Sequence, residues 1–277
     1  MEMTVPRTGT WEGIAMPATL EVRDRVALIT LDRPEKMNAL DSEMMEQLAQ
    51  HWTRLRDDDD LWVAIVTGSG DRAFCSGRDL MAGAPGSPEY HRARLERGEV
   101  VEPREIGYAP DQVWKPIIAA VNGYALAGGF ALALACDFRI AADTARLGSM
   151  AVKRNLLGGG GQTQRLTRYV PFAKALELLL FGDHIPAQEA ERIGLVNAVV
   201  SQEELLPTAF AWAERLCKNG PLAVRATKEA AYAALDMNFR EGMRVEGAFY
   251  NKMLETEDVL EGARAFKERR EPVWQGR

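Results

Sequence analysis

Two short stretches of the sequence place glycine at a turn directly after an apolar run. They are "FCSGRDL" around Arg78 and "LAGGFAL" around Gly128, and each is expected to open a helix. The first turn of a helix leaves backbone N–H groups unpaired, and its dipole favours negative charge. A glycine pair before a helix is more often a packing device, so the prediction depends on both stretches acting together. Two N–H groups that converge on one oxygen form an oxyanion hole, which stabilises enolates.

Other ligand-binding patterns are absent from the sequence. No Gly-Lys-Ser/Thr follows either glycine turn, which excludes a P-loop, and "GGGGQ" at 158–162 follows no long strand, which excludes a dinucleotide fingerprint. The run Asp57–Asp60 lacks the spaced ligands and glycine of a calcium loop, so we expect a solvated turn. We therefore expect neither a metal nor a separate cofactor. The three cysteines, Cys75, Cys136 and Cys217, are odd in number and widely spaced, so we expect reduced thiols.

A few side chains near the glycine turns are candidates for further chemistry. Cys75 is expected to be a buried small hydrophobe rather than a nucleophile. The Arg78 guanidinium is placed either to hold a carboxylate or phosphate or to point into solvent. Asp79 is best explained as an acid in the first turn of a helix. Tyr90 and His91 fall in a predicted lid, from which a general base would enter the site, whereas ordinary roles are expected for His51 and His184.

The elements that must position these residues alternate between strands and helices. "ATLEVRDRVALITLDRP" predicts two strands, and the next residues predict a helix with Asp41 or Ser42 as its N-cap. "WVAIVTG" and "KPIIAAVNG" are continuous apolar runs, typical of strands covered on both faces. Residues 82–112 predict an irregular, mobile segment, and the chain from residue 205 is helical throughout. This order predicts an α/β fold with parallel crossovers.

Composition narrows the class of protein. The chain has 277 residues, 47% of them apolar and 27% charged, as in ordinary globular proteins. Its net charge of -6 argues against a nucleic-acid partner. No apolar run reaches the roughly 18 residues of a membrane helix, and residues 1–19 lack the apolar core of a signal peptide. We therefore expect no membrane association and a cytoplasmic location.

A series of motifs in this sequence resembles the crotonase (enoyl-CoA hydratase/isomerase) superfamily. The motifs follow the family's order and spacing over residues 20–276. They are "VALITLDRPEKMNAL", "VAIVTGSGDRAFCSGRDL", "KPIIAAVNGYALAGGFALALACDFRIAA", "GGGGQTQRLTRYVPFAKALELLLFGDHIPAQEAERIGLVNAVV" and "TEDVLEGARAFKERREPVWQG". The resemblance implies a spiral of ββα units and a C-terminal helical trimerisation region, in a homotrimer or a dimer of trimers. The expected division is a loose arm over 1–18, a spiral core over 19–204 and a helical region over 205–277.

The same resemblance implies an acyl-CoA substrate, with coenzyme A entering only as part of it. In the family the thioester carbonyl lies between two peptide N–H groups, which correspond here to Arg78 and Gly128. Residues that would contact the rest of the substrate are Lys36, Met37, Asp79, Leu80, Met81 and Lys267. Arg269 and Arg270 would accompany Lys267 near the coenzyme A phosphates, although a solvated basic helix end is an equal alternative.

Two carboxylates that the resemblance would imply are missing. Hydratases of the family use two glutamates, one as base and one as acid. Ala131 and Ala151 occupy these positions, and neither neighbourhood contains Asp or Glu. The nearest polar residues are expected to have surface or turn roles; they are Ser149, Lys153, Arg154 and Asn155.

These residues leave three hypotheses open. The first is an acyl-CoA enzyme that stabilises a thioester enolate but hydrates ordinary enoyl-CoA poorly, decarboxylation or C–C cleavage being better suited. The second is a catalytically silent acyl-CoA-binding or assembly protein. The third is a hydrolase of a diketone that does not carry coenzyme A.

Overall fold

A computed structural model describes residues 16–79, 88–99, 110 and 113–277, without the side chains of residues 88–91. Residues 1–15 of the predicted N-terminal arm lie outside this part of the chain, as do Leu80 and Met81. The arm therefore overlaps the described residues only at its end, where the first strand begins at Ala18.

The described residues form two β-sheets. Their strands are β1 (Ala18–Arg23), β2 (Val26–Leu31), β3 (Val63–Gly68), β4 (Ala73–Cys75), β5 (Ile117–Val121), β6 (Tyr124–Leu126), β7 (Phe138–Ala142), β8 (Arg146–Gly148), β9 (Ile185–Pro186) and β10 (Ala198–Val200). One sheet has the order β1-β2-β3-β5-β7-β10 and the other β4-β6-β8-β9. Apart from antiparallel β1–β2 and β8–β9, all pairs are parallel, as the sequence predicted.

The helices surround these sheets and fill the C-terminal part of the chain. They are α1 (Ser42–Asp57), α2 (Pro88–Glu96), α3 (Gly128–Ala135), α4 (Gln162–Tyr169), α5 (Phe172–Leu180), α6 (Ala187–Arg192), α7 (Leu205–Cys217), α8 (Pro221–Ala233), α9 (Phe239–Leu254) and α10 (Glu257–Glu268). Short 3₁₀-helices span Pro34–Lys36 and Ala151–Arg154. Asp41 is the N-cap of α1, and its carboxylate accepts the N–H of Met44 at 2.9 Å.

Pairs of strands repeat along the chain. β3 and β4, β5 and β6, and β7 and β8 each place their first strand in the six-stranded sheet and their second in the four-stranded sheet. α3 completes the middle pair as a strand–strand–helix unit. Successive units therefore stack strand beside strand, which brings the ends of β4, β6 and β8 next to one another.

Buried apolar strands form the centre of the larger sheet. Every residue of β3 and β5 is buried. α7 packs against β3, β5 and β7, so the sheet is covered where the sequence has its continuous apolar runs.

The C-terminal region is helical as predicted, and the boundary at 204/205 stays a prediction. No helix in the described ranges is long and apolar enough to cross a membrane.

The segment over residues 82–112 differs in part from the prediction of an irregular loop. It contains α2, a helix of nine residues. Its sequence "PEYHRARLE" has proline at the first position and good helix formers after it. Because these residues form no apolar stripe, periodicity did not reveal the helix.

Candidate functional site

The first glycine turn is held by pairing with residues near Leu40. The N–H of Leu40 donates to the carbonyl of Gly77 at 2.8 Å, and the N–H of Asp79 donates to the carbonyl of Leu40 at 2.9 Å. Leu40 and Arg78 thus form a parallel β-bridge. Arg78 lies in this bridge and Asp79 directly follows it, and neither is in a helix. Strand-like pairing with Leu40 sets their conformation. The residues after Asp79, where a helix would have to begin, lie outside the described residues, so the expectation that Asp79 is an acid of a first helical turn stays a prediction.

Asp79 has a structural partner that explains its charge. Its carboxylate lies 3.3 Å from the Arg33 guanidinium, which also lies 3.0 Å from the carboxylate of Asp41. All three side chains are largely shielded from solvent. This shared arginine ties the first glycine turn to the N-cap of α1.

The predicted substrate-binding residues Lys36 and Met37 lie beside the same turn. The carbonyl of Met37 accepts the N–H of Ser76 at 3.0 Å. Met37 has left-handed backbone with φ of 52°, and Lys36 is exposed at the end of its 3₁₀-helix. The structure therefore brings Met37, Arg78 and Asp79 together. Leu80 and Met81, predicted to continue this surface, lie outside the described residues.

The second glycine turn is a strained entry into α3. Its N-cap, Ala127, has φ of 49° and ψ of −115°, a conformation that costs about 1–3 kcal/mol for a residue other than glycine. The Ala127 N–H donates to the carbonyl of Gly148 at 3.0 Å, which fixes the turn against the end of β8. Alanine has no side-chain acceptor, and the N–H of Gly128 has no backbone acceptor among the described residues. This N–H is therefore left available at the start of the helix.

Contact between the two turns brings the predicted oxyanion donors to one place. Gly77 has φ of 101°, and a Cβ added there would lie 2.9 Å from the nitrogen of Gly128. A Cβ added at Gly128 would lie 3.4 Å from the nitrogen of Arg78. A side chain at Gly77 would push the turns apart, and one at Gly128 would crowd them.

A buried arginine secures the opposite end of α3. The Arg139 guanidinium donates to the carbonyls of Ala133 at 3.3 Å and Cys136 at 2.7 Å, and also to the carbonyl of Leu195 at 2.6 Å. A cation at a helix C-terminus satisfies unpaired carbonyls and complements the dipole. Arg139 was not among the residues predicted from the sequence, although a single arginine inside the apolar run "FRIAA" was a signal for it.

The two positions of the absent glutamates lie on different elements. Ala131 is fully buried in the first turn of α3, where its N–H donates to the carbonyl of Ala127 at 3.0 Å. Ala151 is half-buried at the start of a 3₁₀-helix, after Met150 in left-handed conformation. Neither side chain can carry a proton.

The polar residues around Ala151 separate into surface and interior groups. Lys153 forms an ion pair with Asp183, and Arg154 and Asn155 are exposed, as expected for surface or turn residues. Ser149 is only 1% exposed, so the same expectation is wrong for it. The chain enters the interior there because β8 has just paired with β6 up to Gly148.

Cys75, His51 and His184, the other candidates whose side chains are described, have structural surroundings or are exposed. Burial raises the pKa of the Cys75 thiol to about 12, so it stays protonated, as expected for an inert residue. His51 hydrogen-bonds the carbonyl of Ala18 at 3.1 Å, and His184 is exposed. The side chains of Tyr90 and His91 lie outside the described residues. Within the described part of the chain no group of acidic, histidine or cysteine side chains is suited to a metal.

The three basic residues at the end of α10 differ in their surroundings. Arg270 lies 2.6 Å from Glu261 and 2.7 Å from Glu268, so neighbouring carboxylates already engage it. Arg269 ends the helix in left-handed conformation, and Lys267 is exposed. Among the residues that the structure describes, Arg270 thus has its charge balanced by neighbouring carboxylates.

Comparisons with known proteins show the family of this chain. The enoyl-CoA hydratase/isomerase family pattern matches residues 21–277. The chain is 42% identical to (E)-benzylidenesuccinyl-CoA hydratase of Thauera aromatica, over 94% of this chain and 100% of that protein. It is also 42% identical to carnitinyl-CoA dehydratase of Citrobacter koseri, over 90% of this chain and 94% of that protein.

Solved structures of enoyl-CoA hydratases have the same fold as this chain. An enoyl-CoA hydratase from Bacillus anthracis superposes with a TM-score of 0.86 at 37% identity, covering 94% of this chain and all of that one. One from Mycobacterium tuberculosis gives 0.85 at 40% identity, covering 95% and 100%. The architecture is the crotonase fold, and the chain belongs to the enoyl-CoA hydratase/isomerase family.

Proposed function

We propose that this protein binds an acyl-CoA thioester and stabilises its enolate with the backbone N–H groups of Arg78 and Gly128. The observation that supports this most is the contact between the two glycine turns, where a Cβ on Gly128 would lie 3.4 Å from the Arg78 nitrogen. Lys36, Met37, Asp79, Leu80, Met81 and Lys267 would contact the remainder of the thioester. Donors fixed by the backbone need no rearrangement when charge develops on the carbonyl oxygen.

The proposed substrate is an acyl-CoA with an additional functional group, not a simple enoyl-CoA. Ala131 and Ala151 supply neither an acid nor a base, so ordinary hydration lacks its proton-transfer groups. The names of the relatives, (E)-benzylidenesuccinyl-CoA hydratase and carnitinyl-CoA dehydratase, favour addition or removal of water on a substituted acyl chain. C–C cleavage and decarboxylation also fit, since the breaking bond itself delivers electrons to the enolate.

Turnover measurements on purified protein test this proposal. Crotonyl-CoA, 3-hydroxybutyryl-CoA and methylmalonyl-CoA would be assayed for hydration, dehydration and decarboxylation. We expect a kcat for crotonyl-CoA far below the roughly 10 s⁻¹ of a median enzyme. Hydration of crotonyl-CoA at ordinary enzymatic rates would show that the two alanines have been misinterpreted.

The donor pair is tested by Gly128→Ala, which keeps the N–H but adds a methyl group 3.4 Å from the Arg78 nitrogen. On whichever thioester turns over, we expect kcat to fall, because the added methyl group shifts the two donors relative to each other; complete loss of one oxyanion donor, about 10²- to 10³-fold, is the upper limit. Gly247→Ala is the matched control, because a Cβ there meets nothing within 4 Å. Unchanged turnover in a folded Gly128→Ala protein would exclude this oxyanion site.

The same two alanines favour a second candidate, a silent acyl-CoA-binding protein. It predicts that calorimetry detects butyryl-CoA binding while no thioester of any class is turned over. Turnover of one thioester that Gly128→Ala abolishes would reject it.

A further inference from the structure

A cavity of about 500 Å³ lies between helix α7 and the turn that joins β1 to β2. Most of its wall is apolar. The apolar residues that line it are Val26, Leu206, Pro207 and Phe210, with the half-buried Cys217 beside them. Small-molecule sites are typically clefts of about 300–1,000 Å³ with apolar walls and a few polar groups. This cavity therefore has the size and the lining of a site for a small organic molecule.

The cavity lies away from the proposed oxyanion donors. Val26, in its wall, begins β2 and pairs with Val63 at the start of β3. The chain reaches the first glycine turn only beyond Gly68, at the other end of β3. A strand rises about 3.3 Å per residue, so the two ends of β3 are roughly 16 Å apart. A ligand in the cavity would therefore lie apart from the oxyanion site.

The two arginines at the cavity are engaged by other groups. The guanidinium carbon of Arg23 lies 4.8 Å from the centre of the Phe210 ring, and its guanidinium lies 3.7 Å from the Glu21 carboxylate. The Arg25 guanidinium donates to the carboxylate of Asp60. Glu21 and Asp60 thus balance these two positive charges, and stacking on the ring covers one face of Arg23. The arginines consequently do not select an anionic ligand.

Two carboxylates of the cavity wall have no such partner. Asp24 lies in the turn between β1 and β2, and Glu214 lies on α7. Neither forms an ion pair with any residue that the structure describes. Burial raises the pKa of the Cys217 thiol to about 11, and the Glu214 and Asp24 carboxylates contribute to this rise. Their charges therefore act together on one part of the cavity, where both would attract a cation.

We propose that this cavity binds a small amphipathic amine in its protonated form. The apolar body of the amine packs against Val26, Leu206 and Phe210, and its ammonium group lies near the carboxylates of Asp24 and Glu214. The apolar wall excludes part of the solvent that would otherwise screen this attraction. The thioester chemistry proposed above uses no amine, so this is a second binding site with a ligand class of its own.

Three probes with the same phenylethyl body test the charge preference. They are phenethylamine, 2-phenylethanol and 3-phenylpropionate, which are cationic, neutral and anionic at pH 7. Calorimetry or ligand-observed NMR on the full chain gives their dissociation constants. We expect the amine to bind about two- to fivefold more tightly than the alcohol, the value of a partly exposed ion pair, and the acid to bind least tightly.

Charge-removing variants test which groups set this preference. Glu214→Gln and Asp24→Asn should each move the affinity for the amine towards that for the alcohol, and should leave the alcohol unchanged. Glu255→Gln is the matched control, because Glu255 is an exposed glutamate at the end of α9, outside the cavity. Asp24 and Glu214 are also exposed, and each replacement keeps the shape of the side chain, so the variants should fold.

Cys217 gives a way to locate the bound amine. Cys75 and Cys136 are fully buried, so N-ethylmaleimide should add to Cys217 alone in the folded protein. Mass spectrometry of peptides verifies the position of the adduct. Because the adduct fills part of the cavity, we expect the labelled protein to lose amine binding, whereas Cys217→Ser treated in the same way should keep it.

Several results would overturn the proposal. Equal affinity for the three probes, or tighter binding of 3-phenylpropionate, would show that the carboxylates do not select the ligand. Amine binding that survives the Cys217 adduct would show that the amine lies elsewhere. A protein that binds none of the probes would also overturn it. Turnover of thioesters is measured separately, so none of these results decides the proposed function.

Discussion

Gly77 and Gly128 place two backbone turns in contact, because neither residue has a side chain to hold the turns apart. The sequence identifies both glycines and the two alanines at the glutamate positions, since these are properties of residue type. It does not reveal the strained backbone of Ala127 or the burial of Ser149. Both depend on how β6 and β8 pair, which is a contact between segments distant in sequence.

His51 is expected to make the stability of the protein depend on pH. Burial lowers its pKa from the ordinary value of 6.5, because the charged imidazolium loses its hydration. The unfolded chain then binds a proton more readily than the folded one. Stability is therefore retained above pH 6.5 and lost as the pH falls from there towards the folded pKa.

Thermal unfolding measured between pH 8 and pH 5.5 checks this expectation. His51→Gln should flatten the decline in Tm on the acidic side, whereas His184→Gln, at an exposed position, should keep the wild-type slope. Parallel curves for the wild type and His51→Gln would assign the pH dependence to other groups.

Elements are positioned in this fold by buried amides as well as by apolar packing. The loop between β3 and β4 leads to the first glycine turn, and two asparagines hold it. Asn38 Nδ2 donates to the carbonyls of Ser69 at 3.1 Å and Ala73 at 2.7 Å. Asn122 accepts the N–H of Gly68 at 3.1 Å and donates to the carbonyl of Gly70 at 2.7 Å.

Replacing Asn122 with alanine should destabilise the protein without removing any apolar contact. The Gly68 N–H and the carbonyl of Gly70 would lose their buried partner, so we expect the free energy of unfolding to fall by about 2–4 kcal/mol. Denaturant titration measures the change. Asn219→Ala is the control, because Asn219 is exposed and its side-chain amide makes only a long hydrogen bond, 3.4 Å, to the carbonyl of Arg215. Equal losses of stability in both variants would contradict the role of Asn122.

The local sequence pattern predicted most of the strands and helices, but not the hydrogen bonds that hold them together. The buried strands "VAIVTG" and "IIAAV" and the helix after "LAGG" follow from apolar runs and glycine turns. The bonds of Asn122 reach 49 to 54 residues back along the chain, so no window of sequence contains both partners. The spiral of ββα units was expected from the family resemblance alone, because local pattern does not show which of the two sheets each strand joins.

At the scale of the whole molecule, a buried ion pair fastens the C-terminal helices to the spiral. The Lys228 ammonium on α8 lies 2.7 Å from the Asp137 carboxylate, and both side chains are nearly 90% shielded, at 13% and 11% exposure. It also donates to the carbonyls of Val113 and Lys115, each at 2.9 Å. Tyr232 OH donates to the other Asp137 oxygen at 3.0 Å. The assembly into a homotrimer or dimer of trimers that the sequence implies stays a prediction.

Lys228→Met should remove a large part of the stability. It leaves the Asp137 carboxylate buried without its cation, a change that costs about 3–5 kcal/mol in comparable cases. Unfolding followed by circular dichroism and by tryptophan fluorescence should keep one transition at a lower midpoint. Lys252→Met on exposed α9 is the control. A midpoint that does not move would show that the pair does not hold the helices on the core.

The bonds of Lys228 also bear on how the chain is made. They span 115 and 113 residues, to carbonyls just before the central strand β5. A ribosome that has released β5 still has to synthesise more than 100 further residues before this closure can form, at roughly 5–20 residues per second. During those seconds the face of the sheet that α7 later covers is exposed. The nascent chain therefore carries exposed apolar sheet surface until α7 has been synthesised, and the closure by Lys228 follows only when α8 has left the ribosome.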